Sequence, residues 1–140
     1  MNFRSNPYRL GQARMVLLTS MGILVPLGYW VRFAQTGEWA WLSDALGSIA
    51  YEIFWILLIL VCLPQVSIAS VAIGVCLATC VLEFLQLWQP AFLQALRSTL
   101  PGRLILGSTF TWTDFPAYWV GSYIGYAWAT FLLRLTLRSP

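Results

Sequence analysis

Histidine and lysine are absent from this 140-residue chain, and charge of either sign is scarce: eight Lys-or-Arg positions, all arginine, and five acids make up 9% of it. A soluble domain carries about 25% charged residues to cover its surface, so the composition excludes an ordinary water-soluble fold. Without histidine the chain lacks the commonest metal ligand and the usual general base. No metal site is expected, and any acid–base chemistry falls to carboxylates. A phosphate-binding glycine loop, a haem motif and a Ser–His pair are also missing, so no cofactor is expected. Cys62, Cys76 and Cys80 lie within apolar runs, where thiols behave as small hydrophobes rather than as a disulfide framework. Dispersed arginines make no basic face, which argues against nucleic acid as a partner.

What remains is apolar: 59% of residues are hydrophobic and eight are tryptophan. A membrane-spanning helix needs about 20 mostly apolar residues, and four stretches qualify, near residues 15–33, 45–63, 66–88 and 115–133. The first follows Arg4, Arg9 and Arg14, as a signal peptide would. Its run is long for one, and no small-residue cleavage site follows before Arg32, so it reads as retained. The second and third are separated only by Leu63-Pro64-Gln65. Proline disfavours helix in the residue before it, and one unbroken span of that length would exceed the bilayer, so a tight hairpin is expected. Between the third and fourth stretches, Phe92, Leu93, Leu96, Leu100 and Leu104 recur near helical spacing. Gln94, Arg97 and Arg103 lie among them, which predicts a short interfacial or re-entrant helix broken at Pro101-Gly102. The expected fold is all-α: one integral-membrane domain over residues 1–140, a four-helix bundle with a short extra helix before its last span.

With four spans both termini share a side. That side carries Arg4, Arg9, Arg14, Arg134 and Arg138, against Arg32, Arg97 and Arg103 opposite, which predicts cytoplasmic termini. A bacterial inner membrane, or another internal membrane, is the expected location, with lipids as partners.

The acids then gather toward the outer side. Glu38 and Asp44 lie outside or at the start of the second helix. Asp44, Ser48 and Glu52 recur every four residues on one helical face, placing Glu52 about 12 Å below Asp44. Glu83 lies near the outer end of the third helix, with Thr79 and Gln86 on nearly the same face. Asp114 opens the fourth helix, where it can cap and where Pro116 fits the first turn. Embedded carboxylates are costly and need partners. Two readings follow: a structural lock with Arg97 or Arg103 folded over as counter-ion, or an outward-facing polar cleft for a head group, solute or proton. Ala117, Gly121, Gly125 and Ala129 form a small-residue ridge on the fourth helix, suited to close helix packing within this chain or with another. Tyr29, Trp30, Trp39, Trp41, Trp88, Trp112, Tyr118 and Trp119 cluster near predicted helix ends, as interfacial belts do.

Three segments carry a resemblance. Glu83-Phe84-Leu85-Gln86-Leu87, then Arg97-Ser98-Thr99, then Leu106-Gly107 through Phe110, Trp112 and Asp114 resemble a family of small bacterial membrane proteins. That family's pattern is E-F-x-Q-L … R-x-T … L-G-x-x-F-x-W-x-D, and it is known as a domain of unknown function. Ser43-Asp44-Ala45-Leu46 is similar to its G-D-A-L, with serine in place of glycine, so the likeness covers about residues 41–126. The E-x-x-Q and W-x-D elements are also similar to the VanZ-like group, associated with the cell envelope and glycopeptide resistance. The resemblance implies a shared polar core of Asp44, Glu83, Gln86, Arg97, Trp112 and Asp114, to which the residue pattern adds Glu52 and Arg103. It implies no reaction. The expected role is a non-enzymatic accessory subunit or assembly factor packed against a larger membrane complex. The alternatives are a transporter-like or head-group-binding envelope protein, and a membrane enzyme acting on lipid-linked substrates.

Overall fold

Helices are the only regular elements among the residues that the computed structural model describes, which are 7–34, 40–107 and 109–138. In chain order they are α1 (Pro7–Ala34), α2 (Ala40–Cys62), α3 (Ile68–Leu85), α4 (Ala91–Ser98), α5 (Leu100–Leu106) and α6 (Asp114–Arg138). Among the described residues, three stretches are long and apolar enough to cross a membrane: Tyr8–Val31 of α1, Ala40–Cys62 and Ile68–Leu85. The chain is thus a helical membrane protein. The fourth expected span falls on α6, whose 25 residues reach about 38 Å at 1.5 Å each. Tyrosines, tryptophans and hydroxyls dilute its apolar residues, so it has spanning length with mixed polarity. Glu38 and Trp39 lie outside the described residues.

Local chemistry sets the helix ends. Ser67 caps α3 by accepting the Ser70 N–H at 3.0 Å, directly after the turn at Pro64. α3 ends at Leu85, short of the expected Trp88. There the N–H groups of Gln86, Leu87 and Trp88 turn to carbonyls three residues back, each at 3.1 Å, the tightening typical of a last turn. The connection that follows holds two short helices rather than one. The break falls at Thr99, not at Pro101-Gly102 as the sequence suggests. Thr99 Oγ1 accepts the Gly102 N–H at 3.1 Å, and Pro101 sits in the first turn of α5, where no N–H is needed.

α2 packs against α1, α3 and α6, and α6 also reaches α1 and α3. α2 and α6 run parallel, because Gly121 lies against Ile49 and Glu52, and Gly125 one turn on lies against Ile53 and Ile56. The start of α1, the end of α2 and the end of α6 share one end of the molecule, here the near end. There Arg14 Nε donates to the Val61 carbonyl at 3.2 Å, and Tyr8 and Met15 line a groove with Leu132 and Leu135. The start of α2, the α4–α5 connection and the start of α6 form the far end. The apolar core occupies the near half, around Ile56, Leu57, Leu60, Val71, Val75, Leu17 and Ala129.

Candidate functional site

The far half of the interior is polar, and three helices build it by the same periodicity. α2 brings Ser48 and Glu52 one turn apart, α3 brings Thr79, Glu83 and Gln86, and α6 brings Asp114, Tyr118 and Ser122. Residues three or four apart share a helical face, so these hydroxyls and carboxylates meet in successive tiers down the bundle. In the outermost, Ser48 Oγ donates to Asp114 Oδ1 at 3.0 Å.

The middle tier centres on Glu83, which is 1% exposed. Its Oε1 accepts the Thr111 backbone N–H at 2.7 Å. Its Oε2 accepts the Tyr118 hydroxyl at 2.9 Å and the Gln86 side-chain amide at 2.9 Å. Three segments (α3, α6 and the chain entering α6) therefore end on one carboxylate. Gly107 lets that chain approach. It sits at φ +66°, and a side chain there would collide with the Gln86 amide, two demands that glycine meets together.

The innermost tier is Glu52, 0% exposed. Ser122 Oγ donates to Oε1 at 2.6 Å, and Thr79 Oγ1 lies 3.4 Å from the same oxygen. Thr79 also faces the Val75 carbonyl at 3.0 Å, the better-placed acceptor for its single hydrogen. Glu52 Oε2 is buried and makes no hydrogen bond. Gly121 passes directly over this residue: a Cβ built there would lie 2.8 Å from Glu52 Cβ. The small-residue ridge of Ala117, Gly121, Gly125 and Ala129 is buried, and its glycines rest on α2 of the same chain.

The counter-ion expected for these acids is elsewhere. Arg97 is 8% exposed, yet its guanidinium donates to the carbonyls of Leu85 at 2.9 Å and Trp88 at 3.2 Å. Those carbonyls lie at and beyond the end of α3, where the helix dipole attracts a cation, and the Leu85 carbonyl accepts the Trp88 N–H as well. Arg97 thus closes a helix terminus and forms no ion pair with Glu83. Arg103 is exposed on α5, and Asp44 is exposed on α2. Trp112 is exposed and joins Phe84, Phe110 and Phe115 in a group of rings with centroids 5.0–6.3 Å apart. Among the described residues, no three of His, Cys, Asp and Glu are grouped to hold a metal ion.

Two members were not among the candidates read from sequence. Tyr118 is buried on Glu83 instead of lying in an interfacial belt, and Ser122 carries the shortest bond to Glu52. The signal was present, because Asp114, Tyr118 and Ser122 repeat every four residues as Asp44, Ser48 and Glu52 do.

Residues 37–122 match the family model described as Protein of unknown function (DUF2809). The chain belongs to the DUF2809 family. The matched segment runs from before α2 to Ser122, so it contains Glu52, Glu83 and every side chain bonded to them, and leaves out α1. No curated protein and no solved structure matches the chain.

Proposed function

We propose that this DUF2809 protein is a non-enzymatic, four-span protein of a bacterial inner membrane that serves as an accessory subunit or assembly factor of a larger membrane complex. α1, α2, α3 and α6 are its spans, with both termini cytoplasmic at the arginine-rich near end. The observation that carries this reading is the saturation of Glu83 by three donors from three segments. A carboxylate so occupied offers a substrate little, but it fixes the α4–α5 connection on the bundle. The connection then holds Phe92, Leu96, Leu100 and Leu104 exposed together with Trp88 and Trp112. A rigid apolar and aromatic crown of this kind suits a protein partner at the membrane interface.

The test is copurification from mild detergent, with cysteines introduced at Gln12 and Ser139 to report sidedness. A stoichiometric membrane partner should accompany the parent and be lost from Leu100→Ser with the fold intact. Outside labelling of either terminal site would overturn the orientation. A second reading, a VanZ-like, transporter-like envelope protein that binds a lipid head group or small solute, is favoured by one feature. Asp114 lies next in the chain to a ring group whose faces attract cations. Retained lipid or solute, with no protein partner, would select it.

A further inference from the structure

We propose that Glu52 binds a proton inside the bundle, at the blind end of a polar column that opens only toward the far end. An ionised carboxylate at this position would need donors or a cation on both oxygens, since an unpaired buried charge is the costliest arrangement a protein interior can hold. Glu52 has neither. Its Oε2 is buried without a hydrogen bond, and among the described residues its partners are two hydroxyls on Oε1. Among the described residues, the titratable groups within electrostatic reach of it are the Cys80 thiol on α3 and the Tyr51 phenol on α2, and Glu83 on α3 and Tyr118 on α6 lie one turn farther out. On α1, Arg14 is committed to the Val61 carbonyl at the near end.

With a proton on Oε1 the same geometry becomes satisfactory. The carboxyl O–H donates to Ser122 Oγ across 2.6 Å, a normal length for a strong O–H···O bond. Oε2 is then a neutral carbonyl oxygen, which tolerates lacking a donor far better than an anion does. A metal cation fits poorly, because hard cations take about six or more oxygens. Here the side chains supply four, and Thr79 is already turned toward the Val75 carbonyl. Toward the near end the way is closed by Ile56 and Leu57, both 0% exposed, and by Leu60 at 4%. Toward the far end, Ser48 lies one turn above Glu52 and donates to Asp114. Exchange with solvent therefore runs by Ser48 and Asp114.

Infrared spectroscopy of the full chain in lipid vesicles at neutral pH tests this. The expected result is a protonated-carboxyl C=O band that disappears in Glu52→Gln and persists in Glu83→Gln. Ser122→Ala, which removes the acceptor, should move the band to higher frequency, and this decides the matter if Glu52→Gln does not fold. On transfer to D2O the band should shift, severalfold more slowly in Ser48→Ala. A chain with only ionised carboxylate bands overturns the proton, and so does a band indifferent to Ser122→Ala. Unchanged exchange in Ser48→Ala overturns the far-end route. The inference rests on the spanning arrangement proposed above but fails separately from it, since the labelling and copurification report topology and partner, not the proton.

Discussion

The far and near halves of the bundle are both buried, and they are held by different forces. In the far half, hydroxyls, an amide and a backbone N–H converge on Glu83 and Glu52. In the near half, Ile56, Leu57, Val71, Val75 and Ala129 meet with no polar atom among their side chains. In water the near half would be the stronger, because burial of apolar surface drives folding. In a bilayer the lipid tails are as apolar as leucine, and that drive is lost between helices. The near half then contributes shape and dispersion, whereas the far half contributes bonds whose unsatisfied alternative is a polar group in hydrocarbon. One bundle thus shows directional bonds fixing its arrangement and close packing filling it.

Replacing Glu83 should break the comparison most severely. Glu83→Leu strands the Tyr118 hydroxyl, the Gln86 amide and the Thr111 N–H together, and each buried orphan costs about 1–3 kcal/mol. We expect a loss of at least about 3 kcal/mol in reversible detergent unfolding, and release of the α4–α5 connection to proteolysis. A loss below about 1 kcal/mol would show that the far half is not the lock.

The glycine ridge should come next, with an internal ranking. Gly121→Ala drives a methyl against Glu52 Cβ and the Ile49 backbone, while Gly125→Ala meets mainly the Ile56 Cδ1 at 2.7 Å. The tip of an isoleucine can turn aside and a backbone cannot. Gly121→Ala should therefore cost about 1–3 kcal/mol as an overpacked contact, and Gly125→Ala less, read as melting in detergent. Equal losses would mean that α2 and α6 shift as rigid bodies.

In the near half, Leu57→Ala should cost about 1–2 kcal/mol, below the 2–5 kcal/mol typical of soluble cores. The unfolded chain remains in apolar surroundings, so only packing is lost. A loss as large as that for Glu83→Leu would erase the distinction between the halves. The smallest effect belongs to the arginines of the connection. Arg97→Gln removes a cap from the end of α3 and should cost about 1 kcal/mol, whereas Arg103→Gln should leave melting unchanged. A double-mutant cycle of Glu83→Gln with Arg97→Gln should be nearly additive, since the two groups do not pair.

Part of this difference was legible in the chain. The positions of Ser48 and Glu52, of Thr79, Glu83 and Gln86, and of Gly121 and Gly125 follow from helical spacing, which needs no partner to be read. Which groups would meet did not follow. Arg97 looked like the counter-ion of Glu83 because charge suggests attraction, but the carbonyls at the end of α3 lie closer to where α4 carries it. Tyr118 looked like a belt residue because an aromatic near a helix end usually is one. Its burial depends on the rotation of α6 about its axis, which the ridge on α2 decides.

By itself the sequence determined that the chain lives among lipids and folds as helices, because scarce charge and long apolar runs leave the backbone no other way to satisfy its hydrogen bonds in hydrocarbon. It also determined the turn at Pro64, since proline acts on neighbouring backbone, whereas the break of the connection fell at Thr99 and not at the Pro101-Gly102 pair that the sequence suggests. Only the tertiary structure decided that Glu83 is saturated while Glu52 keeps one oxygen without a bond. That difference depends on how deep Tyr118 and Ser122 lie along α6 when Gly121 lets it close on α2, and so on contacts between residues some seventy positions apart.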